Sequence, residues 1–221
     1  AYIAIGQIEL EKGNHDLALA YFEQAEEVSP NSLAALLGSV RALRSQGKLN
    51  AALEKISTTM TTSPDDTEVM RELSLIYDLM GKESLSLSLY QELVKRAPDQ
   101  AEYHNNLGLN HMVRGHYDDA ILSFLQAVEL DSDNKKIKNN LASAYALKGM
   151  ENIALKIFTS TVGESAAYNN LGYLYMNQKH WDDAERTLKK ALQLHPKHYP
   201  RAQENLEALA ELRMSEDRIQ Q

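Results

Sequence analysis

Three pairs of adjacent carboxamides, Asn105-Asn106, Asn139-Asn140 and Asn169-Asn170, each stand directly before a leucine, and Asn205 stands before Leu206. Each side chain offers both a donor and an acceptor, so a column of them suits the backbone of an extended peptide. The same groups can instead bond one helix to the next and set the geometry between them. Both readings stand on the sequence alone. The histidines promise less. His195-Pro196-Lys197-His198 has a metal-like spacing, but it straddles a helix-ending proline without carboxylate or thiol company, and structural zinc takes four ligands. His104 and His111 fall on one helix face at packing positions and read as core or surface residues. No phosphate-cradling Gly-rich loop, G-x-S-x-G or H-E-x-x-H occurs, so neither an enzyme nor a cofactor is expected.

Composition narrows the partners. The 221 residues carry a formal net charge of -8, with a pI near 5.4, which disfavours nucleic acid because phosphate binding needs a basic patch. No run of apolar residues is long enough to span a bilayer. With no cysteine there is no disulfide, thiolate metal site or cysteine nucleophile, and the compartment stays open.

What positions the asparagines is a period of 34 residues. Gly13, Gly47, Gly81, Gly115 and Gly149 are evenly spaced by it, as are Ala18, Ala52, Ser86, Ala120 and Ala154. The units run 1–32, 33–66, 67–100, 101–134, 135–164 and 165–198, and a terminal helix follows from about Pro200 to Leu212. Each unit is expected to be two antiparallel helices joined by a short turn. Gly6, Ser74, Gly108, Ala142 and Gly172 let the helices approach closely, while Phe22, Ile56, Tyr90, Phe124, Phe158 and Leu188 fill the core between units. The glycine column caps the first helices, and Pro30, Pro64, Pro98 and Pro196 close the second ones.

Departures from the period carry their own expectations. Lys179 replaces the capping glycine and predicts a different turn before Trp181. Ser39-Val40 stands where Leu-Gly is expected, which predicts a less regular first helix in unit 2. Unit 5 is short by four residues, about one helical turn, so its second helix should end a turn early, near Thr161. In the terminal helix Glu204, Glu207 and Glu211 should face water, and the polar stretch Ser215 to Gln221 should fray as a flexible tail. Ala1 falls at the third position of a unit, already inside a helix, so a preceding segment is expected, whether signal sequence, lipid-bearing cysteine or linker.

The order L-G-x-x-Y, A-x-x-x-F and P within 34 residues is the mark of the tetratricopeptide repeat. The clearest copies are Leu107-Gly108, His111, Gly115, Ala120, Phe124, Ala127 and Leu171-Gly172, Tyr175, Trp181, Ala184, Leu188, Ala191, Pro196. The chain resembles a tetratricopeptide solenoid over almost its whole length. The resemblance implies an all-α, right-handed superhelix of about six helix-turn-helix repeats with a C-terminal capping helix, one solenoid over residues 1–214. It implies a non-enzymatic scaffold that binds a protein or peptide on a concave face. That face would have two sections. The C-terminal section holds Asn105, Asn106, Asn139, Asn140, Asn169, Asn170 and Asn205 with Leu109, Met112, Val113, Tyr173 and Met176; the N-terminal section is charged, with Arg41, Arg44, Arg71 and Glu72. Family members that clamp chaperone tails use a lysine at the position held here by Ile3, Leu37, Arg71, Asn105, Asn139 and Asn169, so the two-carboxylate clamp is missing.

A narrower resemblance lies between Asn105 and Tyr175. Asn105 to Gly108 opens a full unit, Asn139 to Ala142 opens a shortened one, and Ala166-Ala167-Tyr168-Asn169-Asn170-Leu171 follows. This order is similar to the tetratricopeptide lipoprotein of tight-adherence (Flp-type) pilus machines. It implies a periplasmic protein held at the outer membrane through an upstream lipid anchor and assisting secretin or pilus assembly. The alternative is a generic adaptor or co-chaperone, cytoplasmic or periplasmic, with an unrelated client.

Overall fold

Each expected repeat becomes a pair of antiparallel helices, because a glycine in the left-handed conformation ends every first helix but one. The computed structural model describes the backbone of residues 1–194 and 199–219, with the side chains of those stretches except 60–62 and 217–219. The His195 and His198 pair, the proline at 196 and the last two residues of the expected tail lie outside the described residues. Among the described residues there are thirteen helices and no strand, and no helix is long and apolar enough to cross a membrane. The chain forms two compact units, Ala1–Asp99 and Gln100–Gln221.

The first unit contains α1 (Tyr2–Glu11), α2 (His15–Val28), α3 (Leu33–Ser45), α4 (Leu49–Thr62), α5 (Thr67–Leu79) and α6 (Glu83–Arg96). Gly13, Gly47 and Gly81 have φ of +82, +73 and +68°, and the N–H two residues into each turn reaches back five: Asn14 to Glu9 O, Lys48 to Leu43 O, Lys82 to Tyr77 O. This is the Schellman closure, which satisfies carbonyls that a helix end leaves orphaned. Ser32 and Asp66 cap the following first helices by accepting from Ala35 N and from Glu68 and Val69 N.

Inside this unit the Phe22 ring lies between two glycines. A Cβ on Gly6 would come within 2.9 Å of that ring, and one on Gly38 within 2.3 Å. The expected irregularity of α3 is therefore corrected. Ser39 and Val40 are fully buried in an unbroken helix, where Gly38, two residues before the expected glycine position, faces Phe22 of α2 and Ser39 Oγ donates to Glu26 Oε1 at 2.5 Å. Val40 packs in one cluster with Ile56, a smaller filler than the Phe22 that faces Gly6. Tyr90 is fully buried and donates its hydroxyl to Asp78 Oδ2 at 2.6 Å, which satisfies the polar end of the ring.

The second unit contains α7 (Ala101–Val113), α8 (Tyr117–Leu130), α9 (Lys135–Leu147), α10 (Glu151–Val162), α11 (Glu164–Asn177), α12 (Trp181–Leu194) and α13 (Pro200–Ile219). Phe124, Phe158 and Leu188 are all but fully buried, opposite the small residues Gly108, Ala142 and Gly172. A Cβ on Gly108 would meet Phe124 at 2.7 Å, so the helix approach itself requires glycine there.

Three expectations about this unit are corrected. Lys179 does not change the turn. It adopts φ +60°, and His180 N still reaches Tyr175 O at 2.9 Å, so the Schellman hydrogen bonds outweigh the steric cost of a side chain there. The shortened helix ends at Val162, next to the expected Thr161, but without losing a whole helical turn. α10 has 12 residues against 14 in α8, and the rest of the deletion falls in the connection, where Gly163 alone separates α10 from α11. Gly163 sits at φ 86°, ψ 163°, a region essentially reserved for glycine. The terminal helix does not end near Leu212. It continues to Ile219, where Glu216 accepts from Lys179 Nζ at 2.8 Å and Trp181 Nε1 at 2.7 Å. Glu204, Glu207 and Glu211 are exposed, as expected of a capping helix.

Candidate partner-binding groove

The leucine of each Asn-Leu step fixes what its asparagines can do. Leu107, Leu141 and Leu171 are buried and set the rotation of α7, α9 and α11, which turns the residues before them toward the neighbouring first helix. Asn140 Nδ2 donates to Asn105 Oδ1 at 2.8 Å, and Asn105 Nδ2 reaches Asn106 Oδ1 at 3.4 Å. Asn205 Nδ2 donates to Asn169 Oδ1 at 2.9 Å, and Thr161 Oγ1 donates to Asn139 Oδ1 at 2.5 Å. Asn105, Asn106 and Asn169 are buried. For these residues the helix-joining reading is the one the geometry supports. Asn170 differs: it is half-buried and makes no hydrogen bond among the described residues.

The apolar anchors divide in the same way. Met176 is only 6% exposed and packs with Ala184, Leu188 and Leu209, so it belongs to the core rather than to a binding face. Leu109 and Met112 are half-buried against the cluster around Ile121, Phe124 and Leu141. Val113 and Tyr173 are exposed, Tyr173 by 51%.

Tyr173 and Asn170 line an open groove of about 470 Å³ between α9, α11 and α13, with Asn139, Ser143, Asn169, Leu174, Arg201 and Asn205, over Phe158. Arg201 is exposed and has no ion-pair partner among the described residues. A separate hollow of about 300 Å³ holds Glu102, Asn105, Asn106, Asp131, Asn134, Lys136 and Ile137. The asparagine column thus opens into two hollows rather than one continuous strip. Sequence reasoning missed Ser143, Leu174 and Arg201. Ser143 and Leu174 each sit four residues beyond a groove asparagine, a spacing that puts both on one helix face and that could have flagged them.

The charged lining expected in the first unit is an internal ion network. Glu72 is fully buried, and three arginines converge on it: Arg41 Nε at 2.6 Å, Arg71 Nη2 at 2.7 Å and Arg44 Nε at 3.2 Å. Glu68 takes Arg41 Nη2 at 2.6 Å and Arg71 Nη2 at 3.1 Å. Burial pushes the Glu68 carboxyl up, but the hydrogen bonds and charges of Arg71 and Arg41 together hold it below the usual carboxylate range. Arg41 and Arg44 therefore join α3 to α5, Arg71 pairs within α5, and the guanidinium donors of all three already face carboxylates. Sequence periodicity placed them on the right face without showing that partners from the next repeat would meet them there.

The groove's amides, hydroxyl, aromatic ring and guanidinium can together hydrogen-bond a peptide backbone, cover an apolar side chain and attract a carboxylate. Residues 3–66, 101–134 and 165–198 match tetratricopeptide repeat families. The chain is a tetratricopeptide repeat protein. Tetratricopeptide repeats stack into scaffolds for protein interaction. Solved structures similar to this tetratricopeptide protein include that of pilF from Pseudomonas aeruginosa, at 17% identity and a TM-score of 0.70 over 94% of this chain and 96% of that one. A tetratricopeptide repeat protein from Parabacteroides merdae is 18% identical, with a TM-score of 0.61 over 95% and 97% of the two chains. MamA from Desulfovibrio magneticus is 21% identical, with a TM-score of 0.62 over 75% of this chain and 94% of that one. At these identities the likeness is one of fold. No curated protein matches the sequence.

Proposed function

We propose that this tetratricopeptide protein holds an extended peptide segment of a partner protein in the groove between α9, α11 and α13. The observation that carries the reading is the set of groups there that are unengaged among the described residues: the Asn170 carboxamide, the half-exposed Tyr173 ring and the Arg201 guanidinium, beside asparagines already occupied in joining helices. An amide can pair with a peptide backbone without reading its sequence, and an aromatic ring gives the desolvated contact that dominates affinity. Arg201 favours a segment carrying a carboxylate, from an acidic side chain or a chain terminus.

The client we propose is a component of a tight-adherence pilus machine, its secretin first. This rests on the resemblance from Asn105 to Tyr175, with its clipped fifth repeat. On that reading the protein works in the periplasm at the outer membrane. The test is a pull-down from a pilus-producing bacterium with wild type and the double variant Asn170→Ala, Tyr173→Ala, followed by direct binding between the purified proteins. Recovery of secretin that falls at least tenfold in the variant is expected. Equal recovery by both proteins moves the site off this groove, and secretin missing from both captures overturns the pilus assignment.

A further inference from the structure

The turn between α7 and α8 gathers three side chains whose chemistry differs from that of every other repeat. In a Schellman closure the residue five before the donor N–H stands beside the donor's own side chain. Here His116 N reaches His111 O at 2.9 Å, and the two imidazole rings lie 6.2 Å apart, inclined by 27°. Asp119, one turn further along α8, completes the group. One ligand atom from each of His111, His116 and Asp119 can be found within 4.8 Å of the others.

The equivalent positions elsewhere show what the turn ordinarily does. They hold Glu9, Asn14 and Leu17; Leu43, Lys48 and Ala51; Tyr77, Lys82 and Leu85; Tyr145, Met150 and Ile153; and Tyr175, His180 and Asp183. Asn14 donates to Glu9 at 2.7 Å, Lys82 lies 5.7 Å from the Tyr77 ring centre, and Tyr175 contacts His180 with ring centres 6.1 Å apart. Each is a local clasp across the turn. The fourth repeat builds its clasp from two imidazoles beside a carboxylate, three metal-ligating groups, and leaves His111 Nδ1 sealed from solvent with no hydrogen-bond partner among the described residues.

We propose that His111, His116 and Asp119 form a binding site for a divalent transition metal of the class that prefers imidazole, such as zinc. Two imidazoles and a carboxylate make a three-ligand set, with water completing the shell. Bonds of about 2.0–2.1 Å at a tetrahedral ion set two ligand atoms about 3.3–3.4 Å apart. The group must therefore tighten by up to about 1.5 Å, a rotamer adjustment open to His116 and Asp119, which are both exposed. Arg114 nearby repels a cation, while Asp118 is engaged by Lys148, so Asp119 supplies the offsetting carboxylate. A bound ion would clasp α7 to α8 more firmly than the contacts at the other turns.

The test uses the full chain titrated with zinc chloride by calorimetry and with cobalt chloride by visible absorption. The expected result is one saturable equivalent per chain, with a cobalt spectrum of low-symmetry nitrogen and oxygen ligation. Affinity should fall at least tenfold in His116→Ala and in Asp119→Asn, both changes at exposed side chains. A third variant, His195→Ala with His198→Ala, should bind as wild type does. Binding that survives the first two variants, or that is lost only in the third, overturns the assignment, as does the failure of zinc to bind wild type.

Discussion

Asn140 donates its carboxamide N–H to the buried Asn105 Oδ1 at 2.8 Å, tying the first helix of the fifth repeat to the first helix of the fourth. Asn140→Ala leaves a buried carbonyl oxygen short of its partner and should cost about 1–3 kcal/mol. Asn170→Ala removes a group with no hydrogen bond among the described residues and should change stability by less than about 0.5 kcal/mol. Urea unfolding of the two variants against wild type distinguishes them, and equal costs would show that Asn140 is not structural.

Glu72 is the fully buried carboxylate at the centre of three arginines. Glu72→Ala leaves Arg41, Arg44 and Arg71 crowded together with one carboxylate between them. A loss of about 3–5 kcal/mol is expected, as for other broken buried ion pairs. Chemical denaturation followed by circular dichroism measures it. A loss under about 1 kcal/mol would mean that water replaces the carboxylate easily.

Glu68 gives the same network a pH dependence. Its carboxyl is held below the ordinary range in the folded protein, so the unfolded chain takes up the proton first as pH falls. Stability from this group is therefore complete above the ordinary carboxylate value and drains away as pH drops below it, through the lowered folded value. Glu68→Gln should flatten the acid limb of the stability curve in that window, with little change in its slope near neutrality. Unfolding at a series of acid pH values checks this, and an unchanged limb would locate the acid sensitivity elsewhere.

Lys179 occupies at φ +60° a turn that glycine fills in the five earlier repeats. Lys179→Gly relieves a conformation that costs a non-glycine residue roughly 1–2 kcal/mol. Set against that are a looser unfolded chain and an exposed ion pair to Glu216, each worth less. A net gain of up to about 1 kcal/mol should raise the melting temperature by a few degrees. A lower melting temperature would show that the contact with Glu216 matters more than the backbone.

Gly163 makes the whole connection between α10 and α11. A Cβ there would meet nothing within 4 Å, so the cost of Gly163→Ala is one of backbone alone. It should be on the order of 1–3 kcal/mol. Inserting four alanines after Phe158 should cost stability too, since α11 already docks on α10 through the short connection. An insertion variant that melts like wild type would show that the clipped connection is not tuned to its neighbours.

The 34-residue period determined every helix pair, the buried columns from Phe22 to Leu188 and the small residues facing them. Those features are local or repeat between adjacent units, and helix periodicity expresses them directly. Lys179 and the Ser39-Val40 step were misjudged because a period records which residue usually fills a position. It does not record that hydrogen bonds can hold a lysine in a glycine's conformation, or that a filler as small as Ile56 leaves room for a valine. The binding face was legible only as a list of positions. Whether Asn105 joins helices while Asn170 stays open, whether Met176 points into the core, and whether Arg41 meets Glu72 all depend on what the next repeat places opposite. The meeting of His111 with His116 and Asp119 lies instead within one repeat and follows from its turn's hydrogen bond rather than from any metal-binding motif. Residues about 31 to 36 apart decided most of these partnerships, and only the packing of one repeat on another brings them within reach.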